Sequence, residues 1–260
     1  MASPRRALHS HDMSLLGALL DVVLAPICLG CDGTIRAGDA ARLVCRRCRT
    51  RLQAVPAPCC SRCGAPLRAT GRAAGAHCPE CADWPLELVR ARSACTLAPP
   101  ADRLVHQLKY RGWRGLAPVL AERMPALACE ADARHAPQFC VPVPTSPRRL
   151  RERGYNQAEL LARAYAAANG VPCVSALQRS SGQRTQTTLQ PLARRANVAG
   201  AFTPAVAIAG LSGAHIALID DVLTTGATAG ECARALAAAG ACCITLVTFA
   251  RALDARLIHT

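Results

Sequence analysis

Ile216-Ala217-Leu218-Ile219-Asp220-Asp221-Val222-Leu223-Thr224-Thr225-Gly226-Ala227-Thr228 is the stretch that decides the fold. Its first four residues are apolar, the pattern of a buried strand, and they run into two adjacent carboxylates. Thr224 to Thr228 form a hydroxyl- and glycine-bearing loop, and the Ala-rich segment 229–239 reads as a helix. Strand, turn and helix start therefore follow one another. The unpaired N–H groups of a helix start, with threonine hydroxyls beside them, make a site for a phosphate dianion. Gly226 lets the backbone approach the anion where a side chain would block it. Asp220 and Asp221 would repel a bare phosphate, but carboxylates accept hydrogen bonds from vicinal hydroxyls and bind metals. A ribose 5-phosphate group has the matching chemistry.

Working outward, residues 89–97 are β-compatible, and Leu104, Val105 and Leu108, then Leu116, Val119 and Leu120, predict helices interrupted near Gly112 and Gly115. Residues 139–143 read as a short strand ending at Pro142-Val143-Pro144. Residues 159–168 read as a helix closed by Asn169-Gly170, and 189–199 as another. The helix after Gly226 stops at Gly240, and 243–249 is a last strand. Strands alternating with helices predict an α/β domain with a mainly parallel sheet, whose ligands sit beyond the C-terminal strand ends. Two more segments converge on that edge. After Val143-Pro144 comes a basic loop with Arg148, Arg149, Arg151 and Arg153, whose guanidinium forks can bind phosphate oxygens bidentately; a solvated loop is the other reading. Arg184, Thr185 and Gln186 open a mixed polar segment that suits either a flap closing over a ligand or an ordinary surface loop.

A second constellation lies upstream. Of 16 cysteines, eight form C-x-x-C pairs: Cys28/Cys31, Cys45/Cys48, Cys60/Cys63 and Cys78/Cys81. Pairs separated by such gaps have zinc-ribbon spacing, in which two knuckles complete a tetrahedral S₄ site for structural Zn²⁺. Gly30, Gly33 and Gly64 stand where knuckles need tight turns. The near-repeat predicts a double ribbon with consecutive pairs sharing a metal, one or two ions in all. Spacing leaves interleaved pairing open, Cys59 offers an alternative register to Cys60, and a disulfide framework would need an oxidising compartment. Cysteines 95, 129, 140, 173, 232, 242 and 243 lie in apolar stretches and read as small buried hydrophobes.

Composition sets limits. The 260-residue chain is 51% hydrophobic but only 3% aromatic, so its core must be aliphatic. Two Zn(Cys)₄ sites, each carrying −2, would bring the formal net charge of +14 to +10, still basic enough to attract polyanions. Lys109 is the only lysine among 31 basic residues, so arginine abundance reflects a coding bias as much as a partner. The apolar run 15–24 follows Arg5 and Arg6 like a signal peptide. Asp21 interrupts it and no clear cleavage site follows, so it reads as a short amphipathic helix, with Met13 an alternative start. The run is too short to span a bilayer, and the expected location is cytoplasmic. The expected organisation is a tail and short helix over 1–25, a double zinc ribbon over 26–82 and an α/β domain over 83–260.

The thirteen residues from Ile216 resemble the phosphoribosyl pyrophosphate (PRPP) motif of the type I phosphoribosyltransferases. The resemblance implies that Asp220 and Asp221 hold the ribose hydroxyls, that Thr224, Thr225, Gly226, Ala227 and Thr228 hold the 5-phosphate, and that the arginine loop holds the pyrophosphate. Together with the cysteine pairs, His106-Gln107-Leu108-Lys109-Tyr110 and Arg153-Gly154-Tyr155-Asn156-Gln157, the motif resembles the ComF (ComFC-like) competence family, with Tyr155 where members often carry Phe. That implies a PRPP-binding protein that takes Mg²⁺ with PRPP and is linked to uptake of transforming DNA, with single-stranded DNA and a DNA-translocating ATPase as partners. Enzyme, DNA-handling accessory and non-catalytic PRPP sensor all stay open, as does a salvage transferase for nucleobases. Asp220 and Asp221 are the candidates for catalysis, and no acceptor-recognition element is evident.

Overall fold

A computed structural model describes residues 26–35, 43–67, 78–126, 136–180, 200–205 and 210–253. The expected helices at 15–24 and 189–199, together with Arg184, Thr185 and Gln186, lie outside these residues.

The main sheet has four parallel strands in the order β1 (Leu88–Thr96), β6 (Cys243–Arg251), β5 (His215–Leu223), β2 (Phe139–Pro142). Ile216 to Ile219 of β5 are fully buried, because this central strand is covered on both faces. Side chains alternate along it. Ile216 and Leu218 join one core with Leu88, Val141, Ile244 and Leu246, while Ala217 and Ile219 join the other with Cys95, Cys140, Val247 and Phe249.

Helix α1 (Arg46–Thr50) carries Cys48 of the first ribbon, and different helices close the two cores. α6 (Ala227–Ala238) covers the first through Ala229, Cys232, Ala233 and Leu236. α2 (Ala101–Tyr110), α3 (Leu116–Ala121) and α5 (Gln157–Asn169) cover the second. The chain leaving β2 thus leads to α5 on one face, and the chain leaving β5 enters α6 on the other. The connections diverge at the C-terminal ends of neighbouring strands and leave a crevice between them, the usual ligand position in open α/β sheets. Strands β3 (Leu177–Arg179) and β4 (Phe202–Pro204) pair antiparallel as a separate ribbon against α6.

Two expectations need correction. The basic stretch after β2 is a helix, α4 (Pro147–Arg153), and not a loop. Ser146 caps it by accepting from the Arg149 N–H at 3.3 Å, Pro147 opens it, and Gly154 ends it at φ +77°. Strand β5 also runs on past the two acids to Leu223, so both are strand residues.

The cysteine pairs build two similar knuckle hairpins. In the first, Cys28 N–H donates to Gly33 O (2.8 Å), Asp32 N–H to Cys28 O (2.9 Å) and Ile35 N–H to Pro26 O (2.7 Å). In the second, Cys60 N–H donates to Ala65 O (2.8 Å), Gly64 N–H to Cys60 O (2.9 Å) and Leu67 N–H to Pro58 O (2.7 Å). The left-handed position falls on Gly64 at φ +70° in one but on Asp32 at φ +57° in the other. Gly30 serves a different need, since a Cβ there would lie 3.0 Å from Cys48 Sγ.

Candidate functional site

The metal sites pair consecutively. The four Sγ atoms of Cys28, Cys31, Cys45 and Cys48 lie within 4.8 Å of one another, and so do those of Cys60, Cys63, Cys78 and Cys81. A Zn–S bond of about 2.3 Å implies tetrahedral S···S edges of roughly 3.8 Å. The edges fit: Cys31–Cys45 is 3.8 Å, Cys60–Cys81 is 3.9 Å, Cys78–Cys81 is 3.6 Å and Cys63–Cys78 is 3.3 Å. Backbone N–H groups of Gly30 (3.4 Å) and Cys45 (3.2 Å) point at Cys28 Sγ. Burial raises the Cys28 thiol, but the Cys45, Gly30 and Cys31 N–H groups outweigh it and lower it to about 7; Cys60 reaches about 7 in the same way. Such donors favour the thiolate that binds metal. Cys59 is exposed, and its thiol donates to Pro56 O, so it takes no part. Among the other cysteines Cys95, Cys140 and Cys232 are buried as expected, Cys173 and Cys243 are half-buried, and Cys242 is exposed, against expectation.

At the sheet edge, alternation sends the two acids to opposite faces. Asp221 is buried (2% exposed) on the α2 side, and the ammonium of Lys109 lies 2.9 Å from its Oδ2. Apart from that ion pair the oxygen has no hydrogen-bond partner among the described residues, so a further lone pair can still accept. Asp220 is half-buried on the α6 side, and its Oδ1 accepts from the Asp221 N–H at 2.8 Å. Burial, and then the Asp221 charge, raise the Asp220 carboxyl to about 7 although Lys109 opposes them. An ionic contact to one acid and a raised pKa on the other keep two neighbouring carboxylates from repelling at full strength.

Beyond them, Thr224 and Thr225 are exposed, Ala227 and Thr228 half-exposed, and Gly226 is buried at φ +78° as the N-cap of α6. No side chain caps this twelve-residue helix; the nearest contact is Ala227 N–H to Thr225 Oγ1 at 3.4 Å. Its first-turn donors and positive dipole end face the crevice.

The four candidate arginines separate. Arg149 and Arg153 line a cavity of about 200 Å³ with Lys109, Tyr110, Gly112, Glu152 and Tyr155. Arg148 is exposed and does not line the cavity, though it pairs at 2.7 Å with Glu152, which does; Arg151 is exposed outside the cavity. Arg153 also donates to Gln157 and lies 5.1 Å over the Tyr110 ring.

Residues 19–82 match the family described as Double zinc ribbon domain. The chain is 31% identical over 202 residues to DNA utilization protein YhgH of Salmonella typhimurium (strain LT2), covering 75% of this chain and 84% of that one. Competence protein F of Haemophilus influenzae is 27% identical over 213 residues, covering 80% and 90%, and Competence protein ComFC of Bacillus subtilis is 27% identical over 233 residues, covering 81% and 88%. The chain belongs to the ComF competence family. The solved glutamine PRPP amidotransferase from B. subtilis, complexed with ADP and GMP, overlaps 55% of this ComF-family chain and 26% of its own, at 19% identity and a TM-score of 0.32. The mainly parallel α/β domain and the N-terminal double zinc ribbon stand as expected. Among the described residues no helix is long and apolar enough to cross a membrane.

Three site residues of this ComF chain escaped sequence reasoning. Lys109 was visible as the single lysine of an arginine-rich chain, where a compact ammonium suits one buried carboxylate. Arg179 on β3 stands within electrostatic reach of Asp220 and Arg149; burial, and then Arg149, hold it below its ordinary value. Trp84 packs on the loop at Thr225 and Gly226 from the ribbon side. Nothing local to Arg179 or Trp84 signals these partners.

Proposed function

We propose that this chain binds PRPP, as its magnesium complex, in the crevice between the C-terminal ends of β5 and β2. The observation that carries the reading is the adjacent acid pair, with Asp221 buried against Lys109, beside the uncapped N-terminus of α6. Vicinal ribose hydroxyls donate to Asp221 and Asp220, and the 5-phosphate accepts from the N–H groups and hydroxyls of Thr224 to Thr228. Arg149 and Arg153 then offer their guanidinium groups to the pyrophosphate end. In a transfer reaction the bond from the anomeric carbon to pyrophosphate would break, its electron pair leaving on pyrophosphate, as an acceptor nucleophile bonds to that carbon and loses its proton. The two carboxylates would favour the positive charge that grows on the ribose. Mg²⁺ would neutralise the leaving group. Calorimetric titration of Mg·PRPP into wild type and Asp221→Asn tests the binding. Affinity should fall at least tenfold with zinc content unchanged, and equal affinity would sink the assignment.

A second reading, handling of single-stranded DNA, is favoured by the surface at the end of α2. Tyr110 (64% exposed) lies under Arg153, Trp113 (44% exposed) follows three residues later, and Arg114 lies 4.6 Å over the Tyr155 ring. Rings interleaved with arginines form a base-stacking platform with phosphate partners. The names of the relatives, DNA utilization and competence proteins, fit a role in uptake or processing of DNA, with an ATP-driven translocase as partner and a cytoplasmic setting where thiolates stay reduced. The two readings join if PRPP binding assists DNA handling, as a sensor or as a transferase. Trp113→Ala with Tyr110→Ala should weaken oligo-dT binding by about tenfold or more, at ~1–3 kcal/mol per stacked base. Binding that survives both changes would remove this surface from the proposal.

A further inference from the structure

The second ribbon ends against the phosphate loop. Trp84 follows the turn that carries Cys78 and Cys81, its N–H donating to Cys81 O at 3.2 Å, and it is 8% exposed. Its indole N–H donates to Thr225 O at 3.1 Å, across 141 residues of sequence. A Cβ on Gly226 would lie 2.4 Å from its ring, so the ring rests directly on the loop backbone. The next residue, Pro85, packs on α6, where a Cβ on Gly230 would meet its ring at 3.2 Å.

Arg62, inside the Cys60/Cys63 knuckle, fixes this segment. Its guanidinium donates to Cys81 O (3.2 Å), Trp84 O (3.2 Å), Pro85 O (2.7 Å) and Leu88 O (3.2 Å). From the sheet, the buried Arg251 donates to Cys63 O at 2.7 Å and pairs with Glu80. The metal knuckles, the tryptophan and the loop are therefore one continuous packed unit, with hydrogen bonds at each junction.

We infer that Trp84 is a positioning residue that couples the second zinc site to the phosphate-binding loop, so that occupancy of each site by its ligand strengthens the other. The inference rests on the PRPP reading of that loop. Zinc in the Cys60/Cys63/Cys78/Cys81 site holds the Cys81–Trp84 turn, the turn holds Thr225 and Gly226, and an anion on the loop holds them from the other side. Coupling of this kind is reciprocal. Zinc should leave the second site more slowly when the loop is occupied.

The test follows zinc release to a chromogenic chelator from the full chain, with and without saturating ribose 5-phosphate, a probe that needs no Mg²⁺. A Cys31→Ser variant leaves the second site as the source of the signal, and calorimetry on the same sample reports binding of the probe. The expected result is release slowed about two- to tenfold, matching one hydrogen bond at the junction. Trp84→Phe, which keeps the ring and removes the N–H, should lose much of the slowing while still folding and binding zinc; Trp84→Ala should lose all of it. Unchanged release with the probe bound, or full slowing in Trp84→Ala, would overturn the coupling alone. A wild-type protein that binds neither ribose 5-phosphate nor Mg·PRPP would overturn the PRPP reading, and this inference with it.

Discussion

The two ribbons share a knuckle and differ in what they touch. The first is partly exposed, with Cys31 on the surface and Cys45 half-buried, and it packs through Leu29, Ile35 and Val44 on the core under α2 and α3. The second has four buried thiols and lies in the core that contains Leu88, Ile216, Leu246 and α6. Each ribbon also reaches one side of the acid pair. The second meets the loop between β5 and α6 through Trp84, while the first meets α2, whose Arg103 pairs with Asp32 and whose Lys109 contacts Asp221. One local motif thus serves twice, once as a buttress near the rim and once as part of the wall of the site.

The sharpest way to break this contrast is to remove one ligand from each ribbon. Cys63→Ser should unfold or strongly destabilise the α/β domain in thermal melts, since structural zinc contributes on the order of 10 kcal/mol in small domains. Cys31→Ser should lose one zinc equivalent and leave the main transition nearly in place. Comparable losses from both would erase the distinction.

A smaller effect is expected at the α2 side. Lys109→Met leaves the Asp221 carboxylate buried without its ammonium and should cost about 1–3 kcal/mol in urea unfolding, less than a fully buried pair because Lys109 keeps 22% of its side chain exposed. Adding Asp221→Asn should restore part of the loss, and strict additivity would show that the contact carries no energy.

The α6 side predicts a pH dependence instead. Asp220 is raised from 3.8 to about 7 in the folded protein, so folding binds a proton across that interval. Stability from this group is therefore present at low pH, falls as pH rises from about 4 to about 7, and levels off above. Asp220→Asn should flatten that part of the profile. Because the ribose hydroxyls need an ionised acceptor, Mg·PRPP should bind more tightly at pH 8 than at pH 6, with proton release at the lower pH; a flat affinity would remove Asp220 from the ribose contact.

The least effect belongs to Arg103→Ala. Its partner Asp32 is 64% exposed and Arg103 40%, so loss of the link between the first ribbon and α2 should leave the midpoint of a chemical melt almost unshifted. A larger shift would mean that the first ribbon braces α2 more firmly than its exposure implies.

The basic run after β2 shows how local signals can be outweighed in reading. Ser146, Pro147 and Gly154 are the cap, first-turn and stop residues of a helix, yet four arginines in a short span read as a loop. The same helix explains why the arginines do not act as a set. Arg149 and Arg153, four apart, line the cavity, while Arg148 does not line it and is paired with Glu152. The glycines show the limit of composition. Gly226 was legible as a close-approach residue, but the group that approaches it is the Trp84 ring.

From the sequence alone came the strand-loop-helix of residues 216–238 and the four cysteine knuckles. These follow from short-range rules: period-two side chains, capping chemistry and metal-ligand spacing act within a few residues. Tertiary structure decided what each acid meets, which cysteine pairs share a metal, and that Trp84 and Lys109 complete the site. Those contacts join segments far apart in the chain. They arise because both faces of the central strand must be covered, and whatever chain covers them brings its own side chains to the same edge.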